Sequence, residues 1–170
     1  MDDVIRIVVP GKPKGAQRAN AAPLMNRKTG KPILNQKTGR PVITVYTPTE
    51  MRNEMAVIRY TAINVMGGRS PLEGPVELKI MAWLPVPKSF SNKKRADALA
   101  GLIIPTVKPD FDNIAKYVDA LKHVVWRDDS QVSSHGVWKR YSEHPRVIIE
   151  VRRDTRIIVD IAREREAAAS

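Results

Sequence analysis

The stretch that decides the fold is residues 76–84, which read Val-Glu-Leu-Lys-Ile-Met-Ala-Trp-Leu. Apolar residues recur at every second position from Val76 onward, and Glu77 and Lys79 are among the residues that alternate with them. Because successive side chains of a strand point to opposite faces, this alternation predicts a half-buried β-strand, which Pro85 ends. A strand with one buried face needs a second layer packed on that face.

Two main helices are predicted to supply that layer. The first begins with Thr47 as a capping residue and Pro48 at the first helical position, and it ends at Gly67-Gly68. The second follows Pro109 and runs to about Lys122. In the first helix, apolar residues at helical spacing predict one buried stripe: Met51, Met55, Ile58, Ala62 and Val65.

The remaining β-prone stretches complete the predicted fold. Strands are expected at residues 4–9, 131–141 and 146–152, with a possible last strand at 156–161 and a helical tail at 162–169. We therefore predict one α+β domain over residues 1–170, a two-layer arrangement of a mixed β-sheet and two main helices. It would carry a basic N-terminal arm at 10–45 and an extra C-terminal segment at 153–170.

Charge is the strongest compositional signal. The chain has 29 Lys and Arg against 18 Asp and Glu, a net charge of +11. Such an excess repels itself in the compact state, so a polyanionic partner is expected, either nucleic acid or an anionic membrane. A basic protein that is merely soluble is the alternative. A membrane is the weaker choice, because no apolar run reaches the ~20 residues of a span and no basic amphipathic helix is present.

The cysteine count and the first residues indicate the compartment. Cysteine is absent, which excludes disulfides and thiolate chemistry and fits a cytoplasmic protein. The start Met1-Asp2-Asp3 lacks the basic and apolar regions of a secretory signal.

The predicted basic arm contains a short internal repeat. Residues 26–34 read Asn-Arg-Lys-Thr-Gly-Lys-Pro-Ile-Leu, and residues 35–43 read Asn-Gln-Lys-Thr-Gly-Arg-Pro-Val-Ile. Each copy is a turn signal followed by a β-prone pair, which predicts an arm or ribbon that contacts phosphate; a solvated loop is the alternative. A second basic excursion, with a short helix, is expected at 88–101. The candidate DNA-binding residues are Lys12, Lys14, Arg18, Arg27, Lys28, Lys31, Lys37, Arg40, Lys93, Lys94 and Arg95.

Candidate catalytic residues lie where the chain enters the second predicted helix. Pro109 favours extended geometry before it, and in extended chain Asp110 and Asp112 point to the same side. One helical turn after Asp112 stands Lys116. The spacing fits a catalytic carboxylate with a cation beside it, but taken alone it favours an ordinary surface ion pair worth a few tenths of a kcal/mol.

A second acidic pair, Asp128-Asp129, follows an apolar run in an otherwise basic chain. If the chain folds back, this pair approaches Asp110 and Asp112, and carboxylates that close repel unless a cation joins them. Mg²⁺ suits oxygen ligands and phosphate substrates, whereas zinc lacks suitable ligands here. Lys116 would then stabilise the charge that develops on phosphate. A solvated turn is the alternative for Asp128-Asp129, and no organic cofactor is expected.

These motifs together resemble the RusA family of Holliday junction resolvases. The resemblance is carried by Lys-Pro-Asp-Phe-Asp-Asn-Ile-Ala-Lys at 108–116, Asp-Ala-Leu at 119–121 and Trp-Arg-Asp-Asp-Ser-Gln-Val at 126–132. It implies a crossover junction endodeoxyribonuclease that depends on Mg²⁺, with Mn²⁺ as a substitute. Such an enzyme is a homodimer that cuts four-way DNA junctions by paired symmetric nicks in recombination and repair. It would act in a bacterial cytoplasm and be encoded by a phage or prophage.

The resemblance also implies roles for individual residues. The family's metal-binding aspartates map onto Asp110, Asp112 and Asp129, with Asp128 as the other member of its pair, and its important lysine maps onto Lys116. The chain has one residue fewer than the family pattern between Lys116 and Asp-Ala-Leu, and Lys-His at 122–123 replaces a small turn-forming pair. A nuclease for other branched DNA and a non-catalytic DNA-binding protein are the alternatives.

Overall fold

The computed structural model describes residues 4–15, 20–46 and 48–155. Two predictions on single residues, Arg18 and Thr47, and the predicted elements at 156–161 and 162–169 lie outside the described residues. In chain order the elements are β1 (Ile5–Pro10), β2 (Asn20–Pro23), β3 (Ile43–Tyr46), α1 (Thr49–Met66), β4 (Val76–Pro85), α2 (Asn92–Leu99), α3 (Phe111–Ala115), a first 3₁₀ helix (Lys116–Ala120), a second 3₁₀ helix (Asp129–Gln131), β5 (Val132–Ser142) and β6 (Arg146–Arg153).

Four strands form one mixed sheet in the order β1-β6-β4-β5. Strand β4 pairs antiparallel with β6 and parallel with β5, while β1 pairs antiparallel with β6. The alternation that the sequence shows in β4 is present in space, since Val76, Leu78, Ile80, Ala82 and Leu84 are buried in the core. The predicted α+β fold with a mixed sheet is therefore confirmed.

Helix α1 covers the apolar face of the sheet. Its Ile58 and Ala62 are buried as predicted, and Met55 and Val65 pack at the edge of the same hydrophobic cluster. The predicted start is one residue too early, because Pro48 occupies the N-cap position. The helix ends where the chain turns left-handed at Gly-Gly, as predicted. In the part of the chain that the structure describes, no helix combines the length and apolarity needed to cross a bilayer.

The prediction of one long helix from Pro109 to Lys122 is wrong. The chain forms the five-residue helix α3 and then continues as a 3₁₀ helix. Ile114, Tyr117, Ala120 and Leu121 are all buried, so this segment contains both the three-residue spacing of a 3₁₀ helix and the mixed three- and four-residue spacing of an α-helix. Among the described residues the second-longest helix is instead α2, which lies inside the predicted basic excursion. Its N-cap residue is Ser91, whose side chain accepts a hydrogen bond from the Lys94 N–H at 3.3 Å.

Residues 20–46 form a ribbon in which the sequence repeat is also a structural repeat. Strands β2 and β3 pair antiparallel, and each repeat makes a turn closed by two backbone hydrogen bonds of 2.8 Å, at Asn26 and at Asn35. Three residues at intervals of nine positions, Leu24, Ile33 and Val42, are linked to one another by backbone hydrogen bonds. The N–H of Leu24 donates to Val42, that of Ile33 to Leu24, and that of Val42 to Ile33, at 2.7–2.9 Å.

Candidate active site

Asp110 and Asp112 are exposed at the start of α3. Asp110 is the N-cap residue with extended backbone angles, φ −73° and ψ 158°, and its side chain makes no capping hydrogen bond. Asp112 lies in the first turn, where the sequence analysis expected it. Neither carboxylate is consumed by capping the short helix, so both remain open to a ligand from solvent.

Residues 110–116, here called the acidic segment, end at Lys116. Its Nζ atom is 3.9 Å from Asp112 Oδ2 and 3.4 Å from Asn113 Oδ1. Both members of the ion pair are partly exposed, so the pair contributes little to stability by itself. The predicted pairing is present, and the catalytic role of Lys116 stays a prediction.

Strand β5 holds the segment that precedes Asp110. The Lys139 ammonium group donates hydrogen bonds to the backbone carbonyl oxygens of Val107 and Pro109, the latter at 3.0 Å. These bonds fix the chain just before the acidic residues. A lone lysine in a strand carries no sequence signal for such a role, so the sequence analysis missed Lys139.

The Tyr117 hydroxyl group joins three separate segments below the acidic residues. It donates to Glu54 Oε1 of α1 at 2.7 Å and accepts from the backbone N–H groups of Gly15 and Lys14 at 2.8 and 3.1 Å. Burial, and then the hydrogen bond to Glu54, raises the pKa of Tyr117 well above its ordinary value of 10.0. The hydroxyl group therefore keeps its proton and remains the donor to Glu54.

Gly15 precedes the ribbon in the chain, at a point here called the ribbon root, and it lies against the acidic segment. A Cβ atom added at this glycine would lie 2.5 Å from Pro109 Cβ and 3.2 Å from Asn113 Cβ, and the backbone has φ +76°. Only glycine meets both conditions without strain. The chain that leads into the ribbon is thus packed directly beside the segment that carries Asp110 and Asp112.

The second acidic pair divides into two different environments. Asp128 caps the second 3₁₀ helix, accepting from the Ser130 N–H at 3.1 Å, and its Oδ2 lies 2.7 Å from Lys122 Nζ. The hydrogen bond from Lys122, followed by that from Ser130, lowers the pKa of Asp128 far below its usual range. Capping and pairing account for Asp128 as a structural residue.

Asp129 contacts Trp126 and Lys122, and among the described residues it is not gathered with Asp110 and Asp112 at one metal position. Its Oδ1 accepts from Trp126 Nε1 at 3.0 Å, and its Oδ2 lies 3.8 Å from Lys122 Nζ. Asp129 also lines a cavity of about 280 Å³ whose walls include Ala115 of α3 and His135 of β5. Both carboxylates contact Lys122, at 2.7 and 3.8 Å, and Asp129 in addition lines the cavity beside Ala115 of α3.

Asp119 connects these two regions electrostatically. Burial raises the pKa of Asp119, the negative charge of Asp129 raises it further, and Lys116 and Lys122 oppose the shift. The carboxylates of Asp119 and Asp129 therefore repel each other across the turn that separates them. The sequence analysis named Asp119 only as part of the Asp-Ala-Leu motif and gave it no role.

The described residues contain no group of three or more histidine and acidic side chains already gathered around a metal position. Mg²⁺ does not require such a cage, because it keeps several waters and binds proteins through one or two carboxylates together with substrate phosphates. The exposed carboxylates of Asp110 and Asp112, two residues apart, have the chemistry of that donor set. They fit Mg²⁺, and the joint ligation by Asp110, Asp112 and Asp129 stays a prediction.

The candidate DNA-binding residues fall into two groups. The five cations of the ribbon are exposed, and residues 20–46 contain no acidic residue: Arg27, Lys28, Lys31, Lys37 and Arg40. On α2, Lys93 is exposed, Lys94 lies over the Phe90 ring at 4.3 Å, and Arg95 pairs with Glu143 at 2.9 Å. Lys12 and Lys14 lie near the ribbon root, and Lys12 is exposed.

Comparison with known families matches residues 10–152 to the family described as Endodeoxyribonuclease RusA. The chain belongs to the RusA endodeoxyribonuclease family. The matched range includes the ribbon and every acidic residue that the sequence analysis selected.

One curated relative of this RusA family chain is the uncharacterized protein YqaN of Bacillus subtilis (strain 168). The two are 49% identical over 84 residues, which are 48% of this chain and 59% of the relative. The chain therefore matches less than two thirds of that protein's length.

Replacing Tyr117 with Phe tests the junction of the three segments. The variant keeps the ring but removes the acceptor of the Gly15 N–H and the hydroxyl donor to Glu54, and it leaves the Lys14 N–H with only its 3.4 Å bond to Glu54 Oε1. We expect a loss of about 1–3 kcal/mol in the free energy of unfolding, measured by urea denaturation. Tyr60→Phe, at an exposed position on α1, is the matched control and should change stability little.

The pH dependence gives this prediction a second readout. Because the folded protein holds the pKa of Tyr117 above the unfolded value of 10.0, the stabilisation is full below pH 10.0 and declines as the pH rises further. The stability difference between the wild type and Tyr117→Phe should therefore shrink above that pH. A difference that stays constant with pH would contradict the assigned hydrogen bonds.

Proposed function

We propose that the chain is a Mg²⁺-dependent endonuclease that resolves four-way DNA junctions by paired symmetric nicks. Membership of the RusA endodeoxyribonuclease family over residues 10–152 is the observation that carries the proposal. Two exposed carboxylates beside a cationic ribbon support it, because a phosphodiester needs positive charge to approach acidic groups. The setting would be the cytoplasm of a bacterium, with a phage or prophage as the source of the gene.

Asp110 and Asp112, joined by Asp129, would hold the metal ion, either Mg²⁺ or Mn²⁺. When bound, such an ion lowers the pKa of water, orients the phosphate and neutralises developing charge. Asp128 is left to its capping role. The residues themselves contribute position: Lys139 fixes the backbone before Asp110, and the Tyr117 hydroxyl group fixes the turn after Lys116.

Lys116 would stabilise negative charge on the scissile phosphate. Its ammonium group is partly exposed and lies 3.9 Å from Asp112 Oδ2, so one face of the group remains available to a substrate oxygen. A cation held near the reacting phosphate acts most strongly where charge develops. This role differs from plain phosphate binding, because it affects the rate more than the affinity.

The ribbon would contact the DNA backbone. Its five exposed cations lie on two turns of the same construction, and no acidic residue between 20 and 46 opposes them. Because its root packs on Pro109 through Gly15, DNA held by the ribbon would pass near Asp110 and Asp112. Lys93 on α2 would add a further backbone contact.

A homodimer follows from the proposed reaction. Two symmetric cuts on opposing strands require two equivalent acidic segments, which a two-fold axis supplies. Selection for the junction would then come from the shape of the branched DNA and from contacts to its backbone.

Non-catalytic binding to branched DNA is the second candidate. It is favoured by one observation: among the residues that the structure describes, no three acidic or histidine side chains gather at a metal position. Cleavage of other branched DNA is the alternative within the enzyme class. Activity of carboxylate variants separates catalysis from binding.

Asp112→Asn should abolish Mg²⁺-dependent nicking of a synthetic four-way junction and leave binding intact or stronger, since a negative charge near DNA is removed. The matched control is Asp128→Asn, which retains a capping side chain and should still cut. Nicking is followed on denaturing gels and binding by gel shift without metal. Undiminished cutting by Asp112→Asn would reject the assigned site.

Lys116→Ala should lower the single-turnover cleavage rate by about 10²-fold and weaken junction binding by no more than a few-fold. Lys93→Ala, which removes an exposed lysine of α2, serves as the control and should affect binding more than the rate. Equal losses of rate and affinity in Lys116→Ala would show that this lysine is only a phosphate contact.

The double substitution Lys28→Glu and Lys37→Glu should weaken binding and reduce the slope of log affinity against log salt by roughly 1–2, because each phosphate that the ribbon no longer neutralises removes about 0.9 from the slope. Arg153→Glu, at the exposed end of β6, is a control with the same charge change per substituted residue. The slopes are measured by fluorescence anisotropy over a salt series. An unchanged slope would place the ribbon away from DNA.

A further inference from the structure

The face of the sheet that points away from α1 carries a row of apolar side chains. By register, Val8 of β1 lies beside Ile148 of β6, Ile148 beside Met81 of β4, and Met81 beside Trp138 of β5. The side chains at the two edges, Val8 and Trp138, are each 42% exposed. An apolar band of this kind on a highly charged protein is a candidate binding surface.

At the β5 end of the row lies an open cavity of about 340 Å³, a size in the range of small-ligand sites. Two indole rings and two cationic side chains contribute to it, and no acidic residue does. Its lining residues are Lys79, Met81, Ala82, Trp83, Trp138 and Arg140.

The position of the Trp138 ring depends on the absence of a side chain at Gly136. A Cβ atom there would be 2.4 Å from Cη2 and 2.8 Å from Cζ3 of the indole. The ring therefore lies along its own strand over Gly136. An aromatic ring that is held flat and remains exposed can stack on another flat ring.

Trp83 adds a second aromatic group. The Arg146 guanidinium group lies 4.8 Å from the Trp83 ring centroid, a cation–π distance. The Trp83 Nε1 atom is buried and has no hydrogen-bond partner among the described residues.

Charge decides between the two occupants that such a surface could take. Lys79 already pairs with Glu77 at 3.6 Å, yet the lining of the cavity is cationic overall. A second copy packed across a two-fold axis at this cavity would bring Lys79 and Arg140 close to the same two cations of its partner. An anionic ligand with aromatic rings instead complements both the cations and the indoles. Unpaired nucleotides have that chemistry, because every base offers a flat ring and every linkage a negative charge.

The location of the cavity fits a strand that leaves a branch point. Strand β5 is at the edge of the sheet. Lys139 on one of its faces holds the backbone before Asp110, while the neighbouring Trp138 and Arg140 line the cavity on the other face. The acidic segment and the aromatic surface therefore lie on opposite faces of the sheet at its β5 edge.

We propose that the surface formed by Trp83, Trp138, Lys79 and Arg140 binds unpaired nucleotides of the branched DNA, with a base stacked on Trp138 and phosphates near the two cations. The proposal rests on the proposed function, since it names a part of the same substrate. It adds a single-strand site on the sheet face opposite α1, distinct from the ribbon and the acidic segment.

The experiment measures binding of a fluorescent 12-nucleotide oligothymidine and of a blunt duplex without metal. Trp138→Ala should weaken oligothymidine binding by roughly 5- to 150-fold and change duplex binding less than twofold. Trp138→Phe, which retains an aromatic ring, should lose much less. Val8→Ala, at the far edge of the same row, is the matched control and should bind both ligands as the wild type does.

Two further readouts do not depend on removing the aromatic ring. Gly136→Ala displaces the indole while leaving Trp138 in the chain, and it should also weaken oligothymidine binding with duplex binding preserved. Oligothymidine should quench the tryptophan emission of the wild type, and this quenching should be largely lost in Trp138→Phe.

Equal affinity of the wild type and Trp138→Ala for oligothymidine would overturn the proposal, as would an equal loss for the duplex. A fall in self-association of DNA-free Trp138→Ala in sedimentation would assign the surface to a second copy and also overturn it. If the wild type cuts junctions but Trp138 does not affect oligothymidine binding, only this inference fails. If the wild type neither binds nor cuts DNA, the proposed function fails with it.

Discussion

The hydrogen bonds of the Tyr117 hydroxyl group hold the candidate site together. One buried oxygen atom connects Glu54 of α1, the backbone at Gly15 and the turn that follows Lys116. Because the group is buried and its pKa is raised, it remains a neutral donor and acceptor in this position. The ribbon root, the long helix and the acidic segment thus have a fixed relation to one another.

The electrostatic arrangement follows from this relation. A chain with net charge +11 places Asp110, Asp112, Asp119 and Asp129 on short helices and turns, with Lys116 beside Asp112 and Lys122 beside Asp129. The ribbon cations are kept on separate turns with no acidic neighbour in sequence. Positive charge can therefore hold DNA while the carboxylates stay exposed at the start of α3.

Much of the fold follows from local patterns in the sequence. The two-residue period of β4 and the stripe of α1 are strong signals, because one side of each element must be buried. The helix predicted after Asp110 was wrong, since Ile114, Tyr117, Ala120 and Leu121 are all buried and together fit both an α-helical and a 3₁₀ pattern. Distant partners decided that choice, and a local pattern does not contain them.

The sequence predicted the residue types of the candidate site, but not the distant residues that hold them in place. Glu54 lies 63 residues from Tyr117, and Gly15 lies 102 residues from it, so no motif links them. Asp128 takes part in a capping box, and Asp129 accepts a hydrogen bond from Trp126. Both contacts depend on the 3₁₀ helix that the chain forms at 129–131, which the sequence did not predict. The internal repeat predicted the turns of the ribbon, but its three-way backbone hydrogen bonding required the folded chain.

The central claim is that Asp110, Asp112 and Asp129 share one divalent ion. A crystal structure of the protein with Mn²⁺ and a non-cleavable four-way junction, with anomalous scattering to locate the metal, tests it most directly. We expect an anomalous peak in direct contact with oxygens of all three carboxylates and with a phosphate of the junction. A Mn²⁺ position held by Asp128 without Asp110, or DNA bound with no metal at these residues, would contradict the claim.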